Sequence, residues 1–312
     1  MQSTLKSRAV FDGIGLHSGA AVRMIVHPAD PGHGIWFHRT DIEIGDARIP
    51  ALWHRVDRTP LCTRLENQHG VTVSTVEHIM AALAGCGIHN AEIEIDGPEV
   101  PILDGSAAPF MRGLMRRGVR KQNAALWAIE VLTPIHVQLD DDGVKGGAKA
   151  SLLPSDQLEI SFSIDFSDEA IGRQNKTLDM RNGAFARELC DSRTFCRQAD
   201  VDLMHENGLA LGGTLENAVV VDGKDVLSPG GFRHEDEAVR HKMLDALGDL
   251  ALAGAPILGR YEGVRAGHSL TNTLLRALFE TPGAFRMVLC DAEMAERLPG
   301  QGLVWAEIPE VA

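Results

Sequence analysis

Along this chain, apolar residues alternate with polar ones in short runs and recur every three or four residues in a few longer ones. Residues 22–27 set Val22, Met24 and Val26 on one face and Arg23, Ile25 and His27 on the other, the pattern of a half-buried strand. Residues 91–95 alternate as cleanly, and further strands are predicted at 128–131, 135–139, 158–166 and 257–261. Helical periodicity enters near Ser74 and runs through Ile79, Met80, Ala82 and Leu83 to a stop at Gly85 or Gly87. A second helix is predicted over about 107–117. The organising stretch is Arg240-His241-Lys242-Met243-Leu244-Asp245, with Asp249 one turn further on. There Met243, Leu244, Leu247, Leu250 and Leu252 supply the apolar positions of an amphipathic helix.

Turn chemistry separates these elements. Ala29-Asp30-Pro31-Gly32, Asn67-Gln68-His69-Gly70 and Asp140-Asp141-Asp142-Gly143 all read as turns, and the glycines of 13–19 allow another. The three aspartates of 140–142 invite a metal reading, but no ligand scaffold flanks them, so a solvated turn is expected. The basic, polar stretch 116–123 is the candidate linker, which divides the chain into units of 1–123 and 124–312. His78-x-Met80 on a helix, followed by a strand, is echoed by His241-x-Met243 and the strand after it. The echo hints at two similar units.

A length of 312 residues allows about two domains, and 44% hydrophobic residues suffice for real cores. A net charge of -13 argues against a nucleic-acid binder, whose affinity rests on Lys and Arg at phosphates. It leaves room for a small phosphorylated ligand, which needs only a local basic cluster. No apolar signal core follows the first eight residues, and no apolar run is long enough to span a bilayer. The five cysteines form no Cys-x-x-Cys pair, which fits free thiols in a reducing compartment. A cytoplasmic chain is expected.

Residues four apart on a helix share a face, so His241 and Asp245 can converge on one metal ion. The same spacing fits an ordinary surface His–Asp pair. Ser74-x-x-Glu77 fits a capping box, in which Glu77 reaches back to a backbone N–H, and His78 fits a packed core histidine. The functional alternative needs both: an imidazole for a metal, and a carboxylate beside it to take a proton from water.

Longer motifs decide between these readings. In order, the chain carries Thr75-Val76-Glu77-His78, Asp104-Gly105-Ser106-Ala107-Ala108-Pro109-Phe110, Arg193-Thr194-Phe195, Leu211-Gly212-Gly213, Val239-Arg240-His241-Lys242-Met243-Leu244-Asp245 and Gly267-His268. With these it closely resembles the UDP-3-O-acyl-N-acetylglucosamine deacetylase family, zinc amidases that commit Gram-negative bacteria to lipid A synthesis. The likeness runs from about Thr4 to beyond His268. It implies an α/β (α+β) fold of two similar domains, each a sheet-and-helix layer, with the helices sandwiched between two outer sheets.

The resemblance also implies roles. His78, His241 and Asp245 match the zinc ligands, three in number, leaving one position open as catalytic zinc sites require. Ferrous iron could occupy the same donors. Glu77 matches the general base, Thr194 the hydroxyl that stabilises an oxyanion, His268 the acid that protonates the leaving nitrogen, and Asp249 the carboxylate that keeps this histidine charged. The implied substrate is a UDP-sugar carrying a fatty acyl chain. Lys242 and Phe195 match residues at the sugar, Asp165 and Phe166 a segment at the nucleotide end, and Arg265 a position often held by lysine. His17 and Cys62 match positions lining the site. Residues 201–221, with Leu209, Leu211, Gly212, Gly213, Ala218 and Val220, resemble the insert that wraps the acyl chain; their pattern alone reads as ordinary core. Arg197 departs from the family, in which many members carry a second phenylalanine there. A monomer is expected.

Two other classes use similar residues. Two histidines and a carboxylate also form the facial triad of non-haem iron oxygenases, although those usually place the first histidine and the acid two apart on a strand. A non-catalytic sugar-nucleotide binding module would have no need of Glu77 and His268 together.

Overall fold

The computed structural model describes residues 1–57, 61–139 and 147–311. The turn expected at 140–143 lies outside them. The fold is mixed α/β, with two larger sheets and a layer of helices between them.

The first sheet runs Ala9–Ile14, Ala21–Pro28, Ala91–Ile95, Ile35–Arg39, Arg48–Pro50 in spatial order. Its strands alternate as predicted: Val22, Met24 and Val26 are buried, as are Ala91, Ile93 and Ile95. The second sheet is centred on Ile257–Val264, which pairs with Trp127–Val131, Ala148–Leu153 and Leu158–Asp165. Leu158, Ile160, Phe162 and Ile164 point into the core from the last of these.

The helices include α1 (Glu77–Gly85), α2 (Ala108–Arg117), α3 (Ala184–Glu188), α4 (Gln198–Glu206), α5 (Glu237–Ala251) and α6 (His268–Glu280); α1, α2, α5 and α6 fill the layer, whereas α4 buries no residue and packs on Phe195–Arg197 and Val219–Asp222. Helix α2 packs on the first sheet and on α1. In turn α1 packs on α5, and α5 and α6 pack on the second sheet. Each sheet thus contributes a helix–strand–helix unit: α1, Ala91–Ile95, α2 in one case, and α5, Ile257–Val264, α6 in the other.

Helix α5 departs from the amphipathic expectation, because it is enclosed on nearly every side. His241, Asp245 and Asp249 are buried together with Val239, Met243, Leu244, Ala246, Leu247, Gly248 and Leu250. A polar face on such a helix has no water to solvate it and must find partners in the protein. Gly248 is what lets α5 approach α1. A Cβ there would stand 2.0 Å from the carbonyl oxygen of Glu77.

The predicted linker is ordered structure. Residues 116–123 form the end of α2 and the strand Val119–Lys121, which pairs antiparallel with Ser3–Leu5. Its charged residues signalled an exposed edge, since Arg120 and Lys121 face solvent, rather than a free connection.

Candidate active site

Glu77 and His78 open α1 from a tightly turned approach. Thr75 has φ of 59°, an unusual value for a β-branched residue, and its hydroxyl donates to Glu99 Oε1 at 2.9 Å. The capping box is not formed. Val76 precedes the helix without a side-chain cap, and Ser74 is held outside it, its N–H on the Pro98 carbonyl. The Glu77 carboxylate therefore serves elsewhere. Its Oε2 accepts the N–H of Thr63 at 3.0 Å, and its Oε1 lies 3.8 Å from His268 Nε2.

His241 and Asp245 share a face of α5, as their spacing requires. His241 Nδ1–H donates to the carbonyl oxygen of Ser192 at 3.0 Å, which leaves Nε2 with a bare lone pair. That nitrogen lies 3.3 Å from Asp245 Oδ1, and His78 Nε2 lies 3.6 Å from the same oxygen. Asp245 Oδ1 is buried with no hydrogen-bond donor. The His241 lone pair, facing a carboxylate oxygen at such a distance, is repelled unless a cation stands between them. The donor set, two imidazoles and a carboxylate within 4.8 Å of one another, therefore fits a divalent metal ion. Holding His241 by its other nitrogen is also how metal-bound histidines are usually oriented.

The remaining parts come from loops and helix ends. Thr194 is clamped by its backbone, its N–H on Gly105 O and its carbonyl receiving the Val219 N–H, both at 2.8 Å. Beside it, Arg193 forms a buried ion pair with Glu237, with Nε 3.0 Å from Oε1. His268 begins α6, and its Nδ1–H donates to Asp249 Oδ2 at 2.9 Å. Glu77, His78, Thr194, His241, Asp245 and His268 all line one void of about 30 Å³, together with His17 and Cys62. That is room for a water or an ion. A larger cavity, about 610 Å³, lies elsewhere, against Trp36, Leu83, Trp127 and Leu250. Its walls are mostly apolar and hold none of these groups.

Electrostatics divide the residues into roles. Burial pulls His241 down to about 4, so it is neutral and able to ligate at ordinary pH. Burial works against charge on Asp245 too, but charge on its neighbours, Lys242 and His268 among them, outweighs it and holds the carboxyl well below its usual range. Lys242 Nζ donates to Asp245 Oδ2 at 2.8 Å. Burial raises Glu77, which suits a group that must accept a proton. For His268, burial and the helix N-terminus both disfavour a cation. Asp249, then Glu77 and Asp245, prevail and lift it to about 9.

Of the residues expected at the substrate, His17 and Cys62 line the void and Phe195 packs against His241. Phe195 meets His241 edge-on at 6.2 Å between ring centroids and Phe166 at 5.4 Å. Asp165 ends its strand in an exposed position. Arg265 follows Ile257–Val264, its N–H on Ser163 O and its guanidinium on Gly147 O. Gly213 N–H bonds Ala210 O, and Val220 is buried with its N–H on Ser228 Oγ. The core reading of 201–221 is overturned for its leucines: Leu203 and Leu211 are 58% exposed, and Leu209 and Leu215 are also exposed. The segment is nonetheless tied to the first half, with Leu211 N–H on His17 O and Gly212 N–H on Leu16 O. Arg197 is neutralised by both oxygens of Asp200 at 2.7 Å.

Three contributors escaped sequence reasoning. Ser192 acts through a main-chain carbonyl, for which no residue type is diagnostic. Thr63 and Glu99 are buried polar residues whose partners are distant in sequence, so no local spacing marks them.

A paired set of metal-ligating side chains, a buried carboxylate opposite a charged histidine, and a layered α/β scaffold are the make-up of a metal-dependent hydrolase. Residues 2–280 match the profile of LpxC, described as UDP-3-O-acyl N-acetylglycosamine deacetylase. The chain belongs to this family. Relatives named UDP-3-O-acyl-N-acetylglucosamine deacetylase include one from Phenylobacterium zucineum (strain HLK1), 48% identical over 295 residues, covering 95% of this chain and 99% of the relative. Another, from Myxococcus xanthus (strain DK1622), is 45% identical over 302 residues, covering 97% and 93%. Among the described residues, no helix is long and apolar enough to cross a membrane.

Proposed function

We propose that this protein hydrolyses the N-acetyl group of a UDP-3-O-acyl-N-acetylglucosamine, releasing acetate and the free amine, a step of lipid A synthesis. The observation that carries the reading is the convergence, in one small void, of the three ligand residues, Glu77 and His268, with Asp249 holding His268 from behind. His78, His241 and Asp245 would hold zinc, or ferrous iron, which supplies Lewis acidity to the acetamide carbonyl and acidity to a water. Glu77 takes a proton from that water as its oxygen adds to the carbonyl carbon. The Thr194 hydroxyl donates to the oxygen that gathers charge. His268 then gives its proton to the amide nitrogen as the C–N bond breaks. An amine leaves poorly unless protonated, so the raised basicity of His268 is what this step needs.

Phe195 and Lys242 would contact the sugar, Asp165, Phe166 and Arg265 the nucleotide end, and the exposed leucines of 201–221 the acyl chain. On this reading the protein would act in the cytoplasm, as a monomer, with a site that joins units of 1–123 and 124–312. The test is acetate release from the acylated UDP-sugar by purified protein, with metal content measured on the same sample. Turnover that tracks zinc or iron occupancy supports the reading. Tight substrate binding with no acetate release by the fully metallated protein would instead support a binding module.

A further inference from the structure

Thr63 does not line the void, yet it bonds both the proposed base, Glu77, and Asp249, the partner of the proposed acid His268. Its N–H donates to Glu77 Oε2 at 3.0 Å, and its Oγ1 donates to Asp249 Oδ1 at 2.5 Å. Its carbonyl accepts the N–H of Val76, the residue that introduces α1. The residue is 2% exposed, so water does not compete for these bonds. In each carboxylate Thr63 occupies the oxygen that faces away from the chemistry. The other oxygen is thereby presented to the working side: Glu77 Oε1 lies 3.8 Å from His268 Nε2, and Asp249 Oδ2 accepts from His268 Nδ1 at 2.9 Å.

We infer that Thr63 is a positioning residue for the proposed reaction, acting on the base through its backbone N–H and on the acid through its hydroxyl. The inference rests on the reading of Glu77 as base and of His268 with Asp249 as acid. A carboxylate has two oxygens and free rotation about its last bond, so one fixed oxygen determines where the other points. Asp249 makes its bond to His268 with one oxygen only, and the hydroxyl supplies the second constraint. Without it, Asp249 can turn in its pocket and His268 can rotate away from the leaving nitrogen.

The experiment isolates the hydroxyl, since substitution leaves the N–H to Glu77 in place. Thr63→Val keeps the shape and removes the donor, and Thr63→Ser keeps the donor. A hydrogen bond to a charged group is worth about tenfold to a hundredfold in an equilibrium. Thr63→Val should therefore lose about that much kcat, with KM and metal content close to wild type, and Thr63→Ser should recover most of it. Combined with His268→Ala, the Val substitution should cost less than about twofold, because the group it positions is gone. An equal loss in both backgrounds, or full activity of Thr63→Val, overturns the inference. Should Thr63→Val lose metal or fold, Thr63→Ala is measured in its place. If that variant also loses them, the role is structural and the inference fails. A full effect of His268→Ala beside an inert Thr63→Val sinks only this inference. An inert His268→Ala sinks the reading beneath it.

Discussion

Replacing Asp249 with asparagine tests the acid most directly. Asp249 Oδ2 lies 2.9 Å from His268 Nδ1. Charge centres about 4 Å apart interact by about 4 kcal/mol at an effective dielectric constant of about 20, close to three pKa units. Glu77 and Asp245, each 3.8 Å from Nε2, remain in the variant, so the fall should be about two to three units. From a starting value of about 9, His268 would then titrate near pH 6–7, by the same rough arithmetic. The acid works protonated, so activity persists below the His268 pKa and is lost as pH rises through it. At about pH 8 the charged fraction drops to roughly 1–10%, and turnover should fall about ten- to a hundredfold. A dication on Asp245 opposes the imidazolium and lowers the basic limb of both proteins, so the informative quantity is the difference between them. The assay is a pH profile of kcat and kcat/KM for both, with metal content measured at each end. Coincident basic limbs, or wild-type turnover of Asp249→Asn at about pH 8, would refute the assignment of Asp249 to the acid.

Glu77→Gln retains an oxygen for the Thr63 N–H, so thermal midpoint and metal content should stay near wild type while turnover drops about 10²–10⁴-fold; near-normal turnover would mean that another group is the base. Asp245→Ala removes a proposed ligand and also strips Lys242 of its carboxylate. Metal analysis should show near-complete loss and thermal unfolding a lowered midpoint, and full metal occupancy would contradict its role as a ligand. Gly248→Ala drives a methyl into the Glu77 backbone. Overpacking of this kind costs about 1–3 kcal/mol, read in denaturant unfolding, and the forced separation of α1 from α5 should weaken metal retention as well. Unchanged stability in that variant would show that the helices do not meet as closely as described.

Local order was legible wherever one face of an element is buried. Alternation at 22–27, 91–95 and 158–166 predicted strands that the structure contains, because a period of two is set by the backbone and does not depend on the partner strand. The His241–Asp245 face was legible for the same reason, since i,i+4 proximity belongs to the helix. Long ordered motifs carried the family, and the match over residues 2–280 bears that out. Spacing could not pair His78 with Asp245, or bring Glu77 opposite His268, because those contacts arise where α1, α5 and α6 meet. Burial decided the rest. Ser74-x-x-Glu77 reads as a cap on an isolated helix, but enclosure of α1 gave Glu77 a backbone donor from Thr63 instead. Leu209 and Leu211 read as core, and packing left them exposed beside the site. Side-chain type and spacing are properties of the chain. The field that keeps His241 neutral and His268 charged is a property of the packed protein, where carboxylates and imidazoles are close, dry and unable to turn to water.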